Sequence, residues 1–226
     1  MSNINEKDKA KIGGMFINSQ NEGNSNMDQR LASGKVLHLR QGDKVVLQND
    51  DNTQVENISL GIGWAPSRSL HNMDLDASVI AYANKSYRYT VYYGELRNSN
   101  NSIIHHGDNL IGSNGKSVDE NDEDIDIKLN KLTNSIDELF FVVNIYSASS
   151  RGQSFGTVKD LYIRVYNNSG RSKVLLLDFV IDQGKSNSTG VVIGKIRKSA
   201  RGWVFSAVGE YGNADDPSGM RRYCRQ

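Results

Sequence analysis

Residues 73–83 read MDLDASVIAYA, and apolar side chains recur at every second position from 73 to 81. This period of two is typical of a β-strand with one buried face. The same alternation places Asp74 and Asp76 together on the opposite face, about 7 Å apart along the strand. Two carboxylates side by side on a β face repel each other unless a positive group lies between or above them. The stretch therefore predicts a strand and favours a cation beside it.

Short β-prone runs of the same kind follow one another along the chain, and almost no segment has the period of a long helix. We predict about twelve strands, at 36–39, 44–47, 55–64, 73–83, 87–93, 103–104, 124–129, 139–146, 161–166, 173–181, 189–197 and 202–208. Polar Gly, Asn and Ser turns join them. This pattern predicts an all-β fold, a sandwich of two antiparallel sheets with a few short helical turns, at 132–138 and 220–224.

Three local features refine this prediction. The fully apolar run 139–146, LFFVVNIY, is expected to form a central strand. Gly42 and Asp43 are expected to form a hairpin turn between the first two strands. Gly61 and Gly63 fall on the face of their strand opposite the apolar side chains, where another segment can approach closely.

Composition and charge limit the domain organisation and the classes of partner that this chain can have. Residues 1–34 contain few large apolar groups, so we expect a flexible polar N-terminal tail followed by one domain over 35–226. The net charge of +1 gives no global field towards nucleic acid, and no nucleic-acid partner is expected. No apolar segment approaches the roughly 20 residues that span a bilayer, and no signal-peptide core is present. We therefore expect a cytoplasmic protein that does not itself span a membrane.

The segment 105–126, HHGDNLIGSNGKSVDENDEDID, holds seven carboxylates against a single lysine. Such a run is either a solvated acidic loop or a place where a hard cation binds. An EF-hand is excluded because its glycine and final glutamate are missing from the required positions and a strand follows. Calcium also binds outside EF-hands, to carboxylate, amide and carbonyl oxygens. The candidate ligands here are Asp108, Asn109, Asp122, Glu123 and Asp124.

The other sequence motifs give weaker evidence of a function. Residues 152–156 match G-x-S-x-G, but all four histidines precede Ser154, and the following segment has a strand pattern, so a hydrolase is disfavoured and no enzyme activity is expected. His105 and His106 are adjacent on a strand and point to opposite faces, which disfavours a zinc site. Cys224, the only cysteine, is expected to be a core thiol. A basic C-terminal third is either a solvated surface or a phosphate-binding surface; its cations are Lys195, Arg197, Lys198, Arg201, Arg221, Arg222 and Arg225.

The blocks GIGW, DLDAS, HHGDN, NDED, FFVVNIYSASSRGQSFG, YIRVYN and WVFSAVGEYG occur in this order over residues 35–224. This ordered set resembles the TerD family of tellurite-resistance and stress-response proteins, which is related to cAMP-binding proteins. The resemblance implies a β-sandwich with no established catalysis and two calcium ions. It also implies partners among other Ter-type proteins associated with the membrane, and hence a position at the inner face of the membrane.

The resemblance assigns metal ligation residue by residue. The family's DLDA aspartates fall on Asp74 and Asp76, its GDN pair on Asp108 and Asn109, and its acidic triplet on 122–124. The sequence departs from the family at Ala65, where an aspartate is usual, and at Gly94, where an asparagine is frequent. The acidic loop also carries about six extra residues around 113–118. One or two calcium ions are therefore expected.

The leading hypothesis is thus a calcium-binding interaction module of a tellurite or chemical-stress response system, without catalysis of its own. The alternative is a protein that binds a small phosphorylated ligand, such as a cyclic nucleotide, through the basic third, with calcium as a structural ion.

Overall fold

Two six-stranded sheets face each other in the computed structural model, which describes residues 36–49, 51–65, 73–107, 121–181 and 187–224. The strands are β1 Leu37–Leu39, β2 Lys44–Val46, β3 Asn57–Ala65, β4 Leu75–Ala83, β5 Ser86–Val91, β6 Ile103–His105, β7 Glu123–Lys128, β8 Glu138–Ile145, β9 Lys159–Asn167, β10 Val174–Val180, β11 Gly190–Ser199 and β12 Gly202–Gly212. Sheet 1 has the order β2-β12-β11-β8-β4-β5, and sheet 2 has the order β1-β10-β9-β3-β7-β6. The predicted all-β sandwich is confirmed. The predicted tail lies outside the described residues.

The core lies between the sheets and follows the alternation of the sequence. On β4, Leu75, Ala77 and Val79 face the other sheet and are fully buried. The apolar run of β8 is central as predicted, since β8 pairs with β4 on one side and β11 on the other. Its alternate residue Phe140 packs on the outer face of sheet 1, beneath the C-terminal segment. Both faces of β8 are therefore covered, which explains why its sequence is almost continuously apolar.

The predicted hairpin between the first two strands is wrong. A turn does form, because the Asp43 amide donates to the Arg40 carbonyl at 3.0 Å. However, β1 pairs in parallel with β10 in sheet 2, whereas β2 pairs with β12 in sheet 1. The turn itself bonds to β12, where the Gly42 amide donates to the Ala207 carbonyl at 2.8 Å. The chain thus passes from one sheet to the other at this turn instead of closing a two-stranded ladder.

The two glycines of β3 admit close neighbours on the outer face of sheet 2, as predicted. A Cβ at Gly61 would lie 2.0 Å from the Asn121 amide nitrogen. A Cβ at Gly63 would lie 2.1 Å from the Tyr162 hydroxyl. These side chains fill the space that the glycines leave.

The short helices occur at positions that differ from those predicted. The expected turn at 132–138 is a 3-10 helix at Leu129–Lys131, before β8 begins at Glu138. The C-terminal helix begins earlier than predicted, at Pro217–Met220, because the Asp216 side chain caps it by accepting from the Gly219 amide at 2.7 Å. A 3-10 helix at Arg221–Tyr223 continues it. Further short helices, Ala148–Arg151 and Phe155–Thr157, occupy part of the expected loop at 151–156.

The C-terminal segment closes the outer face of sheet 1. Met220 and Cys224 are buried against Ile80, Tyr82 and Phe140 of β4 and β8. Across the ranges that the structure describes, no helix has the length and apolar character needed to span a membrane.

Candidate functional site

Four chain segments meet at one rim of the sandwich: the end of β3, the start of β4, the end of β6 and the start of β7. Register places Ile62 of β3 opposite Glu123 and His105 of β6 opposite Ile125. A contact between Glu123 and Ala77 joins them to the start of β4. We call Asp74, Asp76, Asp122 and Glu123, which all lie here, the acidic rim. The fold thus brings segments that are 46 positions apart in sequence to the same rim.

Asp74 and Asp76 lie on the outer face of sheet 1, on the side of β4 opposite the core residues Leu75 and Ala77. Both are buried, with exposed fractions of 8% and 3%. Burial, and then the charge of Asp76, raise the pKa of the Tyr93 phenol. The predicted carboxylate pair is therefore confirmed as a same-face pair, and it lies in a desolvated setting.

Glu123 points the other way, into the sandwich. Its Oε2 accepts a 2.6 Å hydrogen bond from the Ala77 amide of β4. His105 lies beside it, with Nε2 3.2 Å from the Ala77 carbonyl and 3.7 Å from the Glu123 carboxylate. Since β5 ends at Val91, opposite Val79, no strand among the described residues pairs with the edge of β4 beyond that point. The two side chains take the place of that strand and hold the edge of sheet 1 to sheet 2.

The hydrogen bonds of His105 fix its tautomer. Its Nδ1 accepts from the Gly107 amide at 3.1 Å, so this nitrogen carries no proton. Nε2 then carries the proton and donates to the Ala77 carbonyl. A neutral, fully buried imidazole thus lies next to the Glu123 carboxyl group. This role of His105 was not predicted from the sequence, although the alternation of the strand placed His105 and His106 on opposite faces.

Asp122 closes the end of β3. Its carboxylate accepts from the Trp64 amide at 3.0 Å, and its own amide donates to the Ile62 carbonyl at 2.8 Å. These two bonds fix the chain just before β7 and hold Asp122 at the rim.

Asp124 lies on the outer face of sheet 2, on the opposite side of β7 from Glu123. The Lys173 ammonium is 3.6 Å from its carboxylate and 3.9 Å from that of Asp126. His106, which is half exposed, binds Asp126 at 2.8 Å, so the two adjacent histidines do face opposite ways. The structure therefore separates Asp124 from the inward-pointing Glu123, and its predicted role as a metal ligand stays a prediction.

Asp126, next to this group, has its ionised form stabilised. Partial burial acts to raise its pKa, but hydrogen bonds from Ser59 and His106 and the charge of Lys173 together lower the pKa below its usual value. The outer face of sheet 2 therefore carries a compensated charge network.

Asp108 and Asn109 lie outside the described residues. Within the described part of the chain, no group of three or more His, Cys, Asp and Glu side chains converges closely enough to hold a metal. The donors at the acidic rim are oxygen atoms of carboxylates, in line with the hard-cation ligands that calcium prefers. In chemical type the residues present fit calcium, and the predicted ligand set stays a prediction.

The structure also shows the surroundings of the other motifs that were singled out from the sequence. Ser154 precedes the 3-10 helix Phe155–Thr157, and its carbonyl accepts from the Thr157 hydroxyl at 2.8 Å. Cys224 is a buried thiol, as predicted; burial raises its pKa to about 12. Several cations of the basic third bind within the domain. Lys195 pairs with buried Glu138 at 2.8 Å, and Arg221 lies 4.4 Å from the ring centroid of Tyr87.

Comparison with known proteins places this chain in a family. Residues 36–222 match the model of the TerD domain. The chain is 33% identical over 161 residues to a tellurium resistance protein TerD of Serratia marcescens, an alignment that covers 69% of this chain and 81% of the relative. It is 31% identical over 180 residues to general stress protein 16U of Bacillus subtilis, covering 77% and 90%.

A solved structure gives the same fold. The crystal structure of a homologue of the telluride resistance protein TerD from Streptomyces coelicolor superposes with a TM-score of 0.59 at 18% identity. The superposition covers 74% of this chain and 95% of that one. The extent of the domain match and the identity to curated relatives show that this chain belongs to the TerD family of tellurium-resistance and general stress-response proteins.

Proposed function

We propose that this protein is a calcium-binding interaction module of a chemical-stress response, without catalysis of its own. The acidic rim would hold the cation through Asp74 and Asp76, with Asp122 and Glu123 beside them. Asp108, Asn109 and Asp124 remain the predicted additional ligands, for one ion or two. The observation that carries the proposal is a pair of buried carboxylates at the start of β4, Asp74 just before the strand and Asp76 within it.

The physical argument is the cost of burying charge. Two ionised carboxylates that are buried close together repel each other, whatever other groups each one contacts. A divalent cation between them stabilises both charges at once. An irregular, carboxylate-rich rim suits the flexible coordination shell of calcium better than the strict octahedron of magnesium.

The partners of the histidine side chains support a non-catalytic role. The three described histidines are each engaged: His38 with Asp178 at 2.7 Å, His105 with Ala77, and His106 with Asp126. A histidine that acts as general base for Ser154 must be free to accept its proton, and none of these three described histidines is hydrogen-bonded to Ser154.

Partners are proposed from the family. The relatives are tellurium-resistance and stress proteins, so other Ter-type proteins are the expected partners, including membrane-associated ones. A cytoplasmic position, peripheral to the inner face of the membrane through such partners, follows from this. The alternative of a phosphorylated ligand such as a cyclic nucleotide gains no support from Lys195 and Arg221, which bind groups within the domain.

Thermal melts of chelator-stripped protein test the proposal. Calcium at a hundred times its dissociation constant adds roughly 2.7 kcal/mol to the stability of the folded state. For a domain of this size that raises the melting temperature by about 5–10 °C. Asp76→Asn should abolish most of this rise, whereas Asp178→Asn, on the outer face of sheet 2, should keep it. An equal calcium effect in both variants would remove Asp76 from the site.

A further inference from the structure

Asn144 is the one amide side chain in the apolar run of β8, and it lies directly beside the acidic rim. In the pairing of β4 with β8 it is opposite Asp76, on the same outer face of sheet 1. It is 1% exposed. A buried amide in the middle of an apolar strand needs hydrogen-bonding partners, because losing its hydration without them destabilises the folded state.

The nitrogen end of this amide has its partner. Nδ2 donates to the Ala214 carbonyl at 2.5 Å. It also lies 2.8 Å from the position that a Cβ on Gly190 would occupy, on the neighbouring strand β11. The oxygen is on the other arm of the planar amide, and β4 is the neighbouring strand on the side away from β11. Asp76 projects from β4 at the paired position.

The oxygen end of the Asn144 amide has no hydrogen-bond partner among the described residues. Asn144 Oδ1 is buried, and no group in the described residues donates a hydrogen bond to it. The hydroxyl of Ser78, the next residue along the same face of β4, is likewise buried without a hydrogen-bond partner in the described structure. An amide oxygen and a hydroxyl oxygen thus lie beside a buried carboxylate. A group of oxygen atoms of this kind attracts a cation.

We infer that Asn144 is a cation ligand, contributing its Oδ1 to the same ion as the Asp76 carboxylate. This inference rests on the proposed calcium-binding function and adds a ligand from β8 that motif matching did not indicate. Amide oxygens of asparagine are among the ordinary ligands of calcium. The Ala214 hydrogen bond positions the amide so that its oxygen, and not its nitrogen, faces the ion.

Calcium titration calorimetry on chelator-stripped protein tests the inference. Asn144→Leu keeps the size of the side chain and removes the oxygen, so the affinity for calcium should fall by about tenfold or more. Asn144→Ala removes the same oxygen without placing a bulky group beside Asp76, so the affinity should fall to a similar extent. If the leucine variant does not fold, the alanine variant decides alone. A tenfold loss supports the inference, and an affinity equal to that of wild type contradicts it.

A substitution at a second buried amide distinguishes the loss of a calcium ligand from the loss of structural support. Asn98 lies at the other end of the sandwich and is held by Ser102 at 2.8 Å and Tyr89 at 3.1 Å. Asn98→Leu should lower the melting temperature equally with and without calcium and leave the affinity unchanged. If wild type binds no calcium, the proposed function fails and the inference with it. If wild type binds calcium and Asn144→Leu binds it equally well, the inference alone fails.

Discussion

Gly61→Ala is the substitution whose effect the structure defines most sharply. The added Cβ would lie 2.0–2.4 Å from three atoms of the Asn121 amide group, far inside van der Waals contact. Asn121 is the residue that leads into the acidic rim. Its amide donates to the Asp124 carboxylate at 3.0 Å and accepts from the Tyr166 hydroxyl at 3.3 Å. The new methyl group must therefore displace this side chain from both partners.

The magnitude follows from these two hydrogen bonds. Each contributes about 0.5–1.5 kcal/mol, so their loss destabilises the protein by roughly 1–3 kcal/mol. Replacing glycine by alanine in a compatible backbone returns about 0.4–1 kcal/mol by restricting the unfolded chain. A net loss of about 1–2 kcal/mol remains, which lowers the melting temperature by roughly 2–8 °C.

A double-mutant cycle measured by denaturant unfolding checks the cause. Asn121→Ala removes the same two hydrogen bonds, so adding Gly61→Ala to it should cost nothing further. Gly170→Ala is the matched control, because its nearest neighbour, the Ser172 carbonyl, would lie 3.8 Å from the new Cβ. Additive effects of the two substitutions, or a Gly61→Ala variant as stable as wild type, would refute the reasoning.

Three further predictions concern buried or partly buried groups. Glu123→Gln should change stability little, because the amide oxygen still accepts from the Ala77 amide, whereas Glu123→Leu should cost about 1–3 kcal/mol by urea unfolding; equal losses would contradict the role of this bond. The lowered pKa of Asp126 stabilises the folded state above its unfolded pKa, and this contribution is lost as pH falls through the folded value. Asp126→Asn should therefore destabilise the protein at pH 7, and melts should show the difference from wild type shrinking below about pH 4. Burial raises the pKa of Cys224 to about 12, so a thiol reagent at pH 8 should label it only after unfolding, and rapid labelling of native protein would show that the C-terminal segment opens.

The number and places of the strands could be predicted because each carries its own alternation of side chains. The central position of β8 followed from its apolar run, and the open outer face of β3 followed from Gly61 and Gly63. The partners of the first two strands could not be predicted in this way. A Gly-Asp turn has the same local chemistry whether the chain reverses within one sheet or crosses to the other, and only long-range pairing with β10 and β12 decides it.

For a similar reason, only part of the candidate site could be predicted from the sequence. The shared face of Asp74 and Asp76 follows directly from the period of a strand. The inward orientation of Glu123 depends on its hydrogen bond to the Ala77 amide of β4, a tertiary contact that no local pattern encodes. Asn144 carried a signal, an amide within an apolar run, but its place opposite Asp76 depends on the pairing of β4 with β8.

Isothermal titration of calcium into chelator-stripped protein at pH 7 tests the central claim most directly. We expect saturable binding of one or two ions, much weaker binding of magnesium, and an affinity for calcium about tenfold or more lower in Asp76→Asn. Acidification should weaken the binding, since protons compete for the same carboxylates. The absence of calcium binding to a folded, stripped wild-type protein would contradict the claim that the acidic rim is a cation site.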